Sequence, residues 1–224
     1  IVPGISKVQK DNDTDLLYLS YSSPKTQSRT YLYNLKSKEK KLVKEQVIPS
    51  GHDPENYIVE RLECKSHDGR MVPITITRHK KTKINSSANL LLYGYGSYGS
   101  SMSPSFSSTR LSLIDRDIIW VTAHIRGGLE RGMKWWKEGK LLNKKNTFED
   151  FIAVANFLID KKYTSKKKII GMGGSAGGLL MGAVVNQAPE LFLGIIMAVP
   201  FVDSLTTNLD HSLPLTVGEF DEFG

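Results

Sequence analysis

The stretch "KKIIGMGGSAGGLLMGAVVNQ", Lys167 to Gln187, restricts the fold of this chain more than any other. Its first part is an apolar, β-branched run, Lys167 to Gly173, that reads as a buried strand. Its last part, from Ala176, is a run of small and apolar residues that reads as a helix. Between them Ser175 sits inside Gly-x-Ser-x-Gly. A strand that turns sharply into a helix leaves no room for side chains beside the turn, and glycines at 173, 174, 177 and 178 remove those clashes. Ser175 is then raised above the carboxyl end of a sheet at a helix N-terminus, where free N–H groups and the helix dipole favour developing negative charge. The same glycines would suit a phosphate cradle, but no Gly-Lys-Ser/Thr follows and no spaced G-x-G-x-x-G opens the helix.

The surrounding rhythm agrees with that placement. "NLLLYGYG" (Asn89 to Gly96) and "DIIWVTAH" (Asp117 to His124) read as buried strands, and "FLGIIMAVP" (Phe192 to Pro200) as another. "NTFEDFIAVANFLID" is a predicted helix with Phe148, Phe151, Ile152, Ala155, Leu158 and Ile159 on one face. Asn146 or Thr147 is its predicted cap, with Glu149 or Asp150 three residues on. Repeated strand–helix units with right-handed crossovers predict an α/β fold, a mostly parallel sheet with helices on both faces.

The first part of the chain is different. "LLYLSYSS", "RTYLYNL" and "LVKEQV" read as short strands, and "VIPSGHDPENY" (Val47 to Tyr57) as a connector. A hairpin follows, "YIVERLECKS" and "MVPITITRH", with Asp68-Gly69 as a two-residue turn signal. Pro73 places the second of these strands at the start or the edge of a sheet.

Composition excludes several classes. The net charge of +7 arises from 30 basic and 23 acidic residues. The lysines fall in short runs, among them Lys144 with Lys145, that read as solvated faces at turns and helix ends. Aromatics are not interleaved with them as nucleic-acid binding requires. No apolar run reaches the ~18–20 residues of a membrane span. The single cysteine, Cys64, has no metal-ligand spacing around it and reads as a small strand residue. No metal or cofactor is predicted, and a reducing cytoplasm is the expected compartment.

At this level of detail "YGYGSYG", "HIRGG", "KKNTFEDF", "GGSAGG", "NQAPELF", "PFVDSLTT" and "LPLTVGEFDEFG" resemble, in order, the prolyl oligopeptidase family of serine peptidases. The likeness runs from about Tyr57 to Gly224 and is nearest to the trypsin-like branch, the oligopeptidases B. It implies an α/β-hydrolase catalytic domain capped by a β-propeller. Residues 1–56 would be a propeller remnant with its connector, and residues 57–224 the N-terminal part of the peptidase domain. It implies further that Ser175 is the nucleophile and Tyr95 the oxyanion tyrosine, with the Ala176 backbone N–H as the second oxyanion donor.

Glu219 and Asp221 alternate with phenylalanines in "GEFDEF". On an extended segment residues two apart share a face, so both carboxylates are predicted to line one pocket for a Lys or Arg side chain. They also match the acidic pair that the resemblance assigns to that role. Two departures stand out: Ser103 and Ser105 occupy the place of a second acidic pair, and Leu129 replaces a usual glycine in "RGGLE".

The triad order in such hydrolases is Ser, Asp, His, and the His follows the last strand. After Ser175 the sequence offers one histidine, His211, eight residues past Asp203 with no strand between. His211 is therefore read as a loop residue. His52, His67, His79 and His124 precede the nucleophile and read as connector, turn and strand-end residues. The catalytic Asp and His are expected from beyond residue 224 or from a companion polypeptide. Loss of such a base costs on the order of 10⁶ in kcat. The expected activity is hydrolysis of short peptides after Lys or Arg through an acyl-enzyme. An inactive remnant of a disrupted peptidase, and an esterase or aminopeptidase on the same fold, are the alternatives.

Overall fold

The computed structural model describes residues 4–7, 14–214 and 216–224, with 4–7 and 217 described in backbone only. Residues 1–3 and 8–13 of the predicted 1–56 segment lie outside the described residues. Four strands, β1 (Gly4–Lys7), β2 (Leu16–Ser23), β3 (Thr26–Asn34) and β4 (Lys40–Glu45), form an antiparallel meander in sequential order. That is the strand number of one propeller blade. A connector containing a 3₁₀ turn (Pro54–Asn56) leads out of it. Its His52 Nε2–H donates a 2.8 Å hydrogen bond to the Lys25 carbonyl, and its ring stacks on Tyr57.

The second sheet has six strands: β5 (Tyr57–Lys65), β6 (Met71–His79), β7 (Leu90–Tyr93), β8 (Ile119–Ala123), β9 (Ile169–Gly174) and β10 (Phe192–Ala198). Their order is β10-β9-β7-β8-β6-β5. The first four in that order are parallel, and β6 and β5 extend the sheet as an antiparallel hairpin. The sheet is thus mixed, and β6 is an interior strand. Pro73 stands near its start, as predicted, but not at an edge, because β6 pairs with β5 on one side and β8 on the other. The β5–β6 turn is also longer than Asp68-Gly69 suggests: Ser66 N–H reaches the Arg70 carbonyl at 2.7 Å, with Gly69 at φ 86°.

Right-handed crossovers set the helices. From β7 the chain moves one way to β8 through α1 (Ser108–Ile114), then back across β7 to β9 through the short α2 (Met133–Lys137) and α3 (Lys145–Asp160), and on to β10 through α4 (Ala176–Gln187). Reversing direction puts α3 and α4 on the face opposite α1. Strand alternation supplies the two cores. Leu90 and Leu92 point into the cluster with Phe151, Leu158, Leu180 and Met181, and Leu91 points into the other, with Leu111, Ile114 and Trp120. Burial of these side chains, each worth ~1.5–3 kcal/mol, is what holds the layers together.

Helix α3 is rotated from its predicted face. Its buried residues are Thr147, Asp150, Phe151, Val154, Ala155 and Leu158, whereas Phe148, Ile152 and Ile159 are only partly covered. The predicted cap is replaced for a related reason. Thr147 donates to the Arg126 carbonyl, Asn146 to the Glu138 carbonyl, and Asp150 pairs with the fully buried Arg126 at 2.6 Å. The polar residues at the start of α3 are therefore spent on tertiary bonds. Cys64 is buried in β5, and burial pushes its thiol up to about 12, so it is chemically quiet. Among the described residues no helix is long and apolar enough to cross a membrane.

Candidate active site

The direction of crossover changes at β7, where one connection leaves toward β8 while the neighbouring strand β9 feeds β10. In open α/β sheets such a switch point, at the carboxyl ends of the strands, forms the ligand crevice. Ser175 and Tyr95 both stand there, one residue after β9 and two after β7.

Ser175 caps α4 with φ 55° and ψ −120°, a left-handed backbone that serine rarely adopts, and it is exposed. The turn is held by three backbone bonds: Ser175 N–H to Ala198 O (2.9 Å), and Gly178 and Phe201 N–H to Ser175 O (2.8 and 3.0 Å). Two glycines are indispensable to it. A Cβ on Gly173 would lie 2.2 Å from Gly177 O, and one on Gly178 would lie 2.4 Å from the Pro200 Cα. The Ala176 N–H, first in α4, has no backbone acceptor among the described residues, as helix geometry requires of the first turn.

Tyr95 follows Gly94, whose N–H bonds Met172 O of the neighbouring β9 at 3.1 Å. Burial raises the Tyr95 phenol above its ordinary pKa while the Ser175 hydroxyl pulls it the other way, so the phenol is a protonated donor beside the serine. Ser175, the Tyr95 phenol and the first N–H of α4 thus stand together at the carboxyl edge of the sheet.

The acidic segment departs from its predicted shape. It is not extended: Val217–Glu219 is a 3₁₀ turn running into the helix α6 (Phe220–Phe223), with α5 (Ser204–Leu209) before it. Residues two apart on a helix diverge, and three apart align. Glu219 therefore faces inward with Glu222, and Asp221 is exposed. Glu219 Oε2 accepts a 2.6 Å bond from the Tyr98 hydroxyl, and Glu222, 2% exposed, accepts from Trp136 Nε1 at 2.9 Å.

Two supporting residues escaped sequence reasoning. Lys144, read as part of a solvated run, is buried. Its Nζ donates to Gly96 O (2.7 Å) and Ser97 Oγ (2.5 Å) and lies 3.5 Å from Glu222 Oε1. Burial pushes its pKa down to about 8, against the opposing pull of Glu222. Tyr98 was hidden among three tyrosines of one motif. Its positive φ of 56° and its bond to Glu219 mark it out only in three dimensions.

Among the described residues none of the remaining predicted groups hydrogen-bonds Ser175. Asp203 caps α5 by accepting from Thr206 N–H at 3.1 Å, and His211 is exposed, 6.3 Å from the Phe220 ring. Ser103 and Ser105 are exposed beyond the Tyr95 loop. Among the described residues no three His, Cys, Asp or Glu side chains converge as a metal site.

A mixed α/β sheet with a strained serine at its switch point defines a hydrolase-like nucleophile elbow. Residues 104–224 match the Prolyl oligopeptidase family. Dipeptidyl aminopeptidase BI of Pseudoxanthomonas mexicana is 47% identical over 215 residues, covering 96% of this chain and 30% of that protein. Protease 2 of Moraxella lacunata is 45% identical over 216 residues, covering 96% and 31%. The structure of oligopeptidase B from Trypanosoma brucei with covalently bound antipain superposes with a TM-score of 0.90 at 41% identity, covering 100% of this chain and 32% of that one. The chain belongs to the prolyl oligopeptidase family, and it spans about 30% of the length of the curated relatives it matches.

Proposed function

We propose that this chain is the nucleophile-bearing part of a serine peptidase that cleaves short peptides after Lys or Arg. The observation that carries the reading is Ser175, held at positive φ on the first turn of α4 beside the Tyr95 phenol. The Ser175 oxygen adds to the peptide carbonyl as its proton passes to a base. The oxyanion that forms is met by the Ala176 N–H and the Tyr95 O–H. A phenol can shorten its hydrogen bond as charge builds, so it stabilises the transition state more than the ground state. Collapse expels the amine and leaves an acyl-serine, which water releases. The base and its carboxylate partner come from residues outside these 224, on a continuing chain or a companion polypeptide. The meander of β1 to β4 is, in the same reading, part of a propeller cap, and the unpaired Cys64 suits a cytoplasmic setting.

Glu219 supplies the counter-charge for a basic side chain. One of its oxygens holds Tyr98, and the other remains available to an ammonium or guanidinium. Asp221, turned outward by the helix, adds only longer-range attraction. An esterase on this fold has no use for either carboxylate.

The test is labelling of the intact protein with an arginine-like phosphonate. Labelling at Ser175, lost in Ser175→Ala, is expected. So is a drop of about tenfold or more in kcat/KM for arginine substrates in Glu219→Gln, with simple alkyl esters unaffected. Turnover of alkyl esters with indifference to arginine would replace the peptidase reading by the esterase one. Failure to label at all would leave an inactive remnant.

A further inference from the structure

A cleft of about 600 Å³ opens beside the carboxyl edge of the six-stranded sheet. Pro24, from the β2–β3 turn, forms one wall, and Arg61, Thr75, Met102, His124 and Glu130 form the others. Three of its polar groups are buried, with Thr75 5% exposed, the His124 side chain 1% and that of Glu130 8%, whereas Arg61 is exposed at the rim.

These groups bond in one consistent sense. Arg61 Nη1 donates to Thr75 Oγ1 at 2.8 Å. The Thr75 hydroxyl lies 2.8 Å from His124 Nε2, and His124 Nδ1 lies 3.4 Å from Glu130 Oε1. Met102 N–H donates to that same Oε1 at 2.8 Å. With the imidazole neutral and its proton on Nδ1, each donor finds an acceptor. The relay ends at Glu130 Oε2, which is buried and has no partner among the described residues. A buried carboxylate oxygen without a donor is costly, so a ligand N–H delivered there is strongly favoured. Among the described residues Glu130 is also the only carboxylate on the walls of the cleft.

The cleft lies on the same edge as the nucleophile. His124 and Glu130 follow β8, which stands two strands from β9 and Ser175, so the two strand ends are roughly 10 Å apart at ordinary strand spacing. An extended peptide advances ~3.3–3.6 Å per residue, so a peptide held at Ser175 reaches the end of β8, where the cleft opens, within about three residues. Arg61 on the neighbouring wall disfavours a bare inorganic cation but offers unused N–H groups to a carbonyl. The ligand that suits both walls is an ammonium followed by a peptide carbonyl.

We propose that this cleft binds the ammonium group of a short peptide, either a free amino terminus or a lysine side chain, with Glu130 as its counter-ion and Arg61 on an adjacent carbonyl. The choice of a peptide rests on the peptidase reading, but the test does not need turnover. Calorimetric titration of the intact protein carrying Ser175→Ala compares Gly-Gly-Arg amide, its N-acetyl form, and N-acetyl-Lys-Gly-Arg amide. One of the two ammonium-bearing peptides is expected to bind about tenfold or more tightly than N-acetyl-Gly-Gly-Arg amide, the size of a charge-assisted hydrogen bond. Which one does so identifies the source of the ammonium. Glu130→Gln keeps an acceptor for Met102 N–H and is expected to abolish the difference. Ser103→Lys, an exposed change on the rim, is expected to weaken the preferred peptide several-fold and decides the matter if Glu130→Gln does not fold. Equal affinities for all three peptides, or a preference that survives both changes, overturns the proposal. Phosphonate labelling of the unmutated protein separates the two readings: labelling without an ammonium preference removes the cleft alone, and a preference without labelling removes the peptidase reading alone.

Discussion

The Tyr98 hydroxyl donates a 2.6 Å hydrogen bond to Glu219 Oε2 across 121 positions of sequence, tying the loop that carries Tyr95 to the acidic end of the chain. Burial and the Glu219 carboxylate hold the phenol far above its ordinary pKa, so it donates at any working pH. Tyr98→Phe removes the donor but leaves Glu219 partly solvated, and is expected to cost about 0.5–1.5 kcal/mol in urea denaturation. KM for arginine substrates is expected to change more than kcat, because Glu219 is freed to move. A larger effect on kcat than on KM would argue that Tyr98 acts on Tyr95 instead.

The backbone of Ser175 is strained by design of the turn. A non-glycine residue in that region of φ and ψ costs ~1–3 kcal/mol, offset in part by the greater freedom glycine has when unfolded. Ser175→Gly is therefore expected to raise stability by about 1 kcal/mol while abolishing phosphonate labelling. A variant less stable than the parent would show that the serine side chain contributes bonds the turn depends on.

Space, not conformation, governs Gly178. Its Cβ would meet the Pro200 backbone at 2.4 Å, and backbone cannot yield as a flexible side chain can. Gly178→Ala is expected to cost about 1–3 kcal/mol by overpacking. Gly182→Ala, one turn on and facing only Val202 at 3.5 Å, serves as a control that should be near neutral or stabilising, and thermal unfolding of the pair measures the difference.

How far the sequence foretold this arrangement depended on range. The elbow was legible because its glycines, strand and helix are contiguous and every local preference points the same way. The strands β7 to β10 were legible for the same reason, as unbroken apolar runs. The acidic helix was misread because alternation of Glu219, Phe220, Asp221 and Phe223 is too short to separate a strand from a single helical turn. Lys144 was misread because a lysine's default is solvent, and only the fold brings Gly96, Ser97 and Glu222 around it. The rotated face of α3 has a similar origin: Asp150 is buried because Arg126, 24 residues earlier, is buried with it.

Strand β10 and the segments after it present apolar surface. Leu193 is 59% exposed and Val199 85%, with Ile196, Met197, Val202 and Leu205 exposed nearby. A patch of this kind on an edge strand attracts other chains. The 224-residue polypeptide by itself is expected to bind anilinonaphthalene sulfonate and to self-associate as concentration rises. Replacing Ile196 and Val199 with Lys is expected to reduce both. Sedimentation showing a dilute and concentrated monomer alike would contradict this.

Lys144 gives the site a dependence on pH whose sign is fixed by its burial. Its pKa is about 8 when folded, against ~10.4 in an unfolded chain. Between those values the unfolded state holds a proton that the folded state has released, so this residue's contribution to stability rises with pH across that window. Below about pH 8 the lysine is charged in both states and its burial penalty, on the order of 3 kcal/mol, is constant. Lys144→Met removes the titration but leaves Glu222 without its cation and Gly96 O and Ser97 without a donor, at an expected cost of about 2–4 kcal/mol at pH 7. The gap between parent and Lys144→Met in urea denaturation is therefore expected to widen from pH 8 to pH 10. Glu222→Gln removes the charge that opposes deprotonation, so the same rise should begin at lower pH in that variant. A gap that is flat or shrinks over this range would mean that Lys144 titrates as a solvated lysine and does not brace the Tyr95 loop as a buried cation.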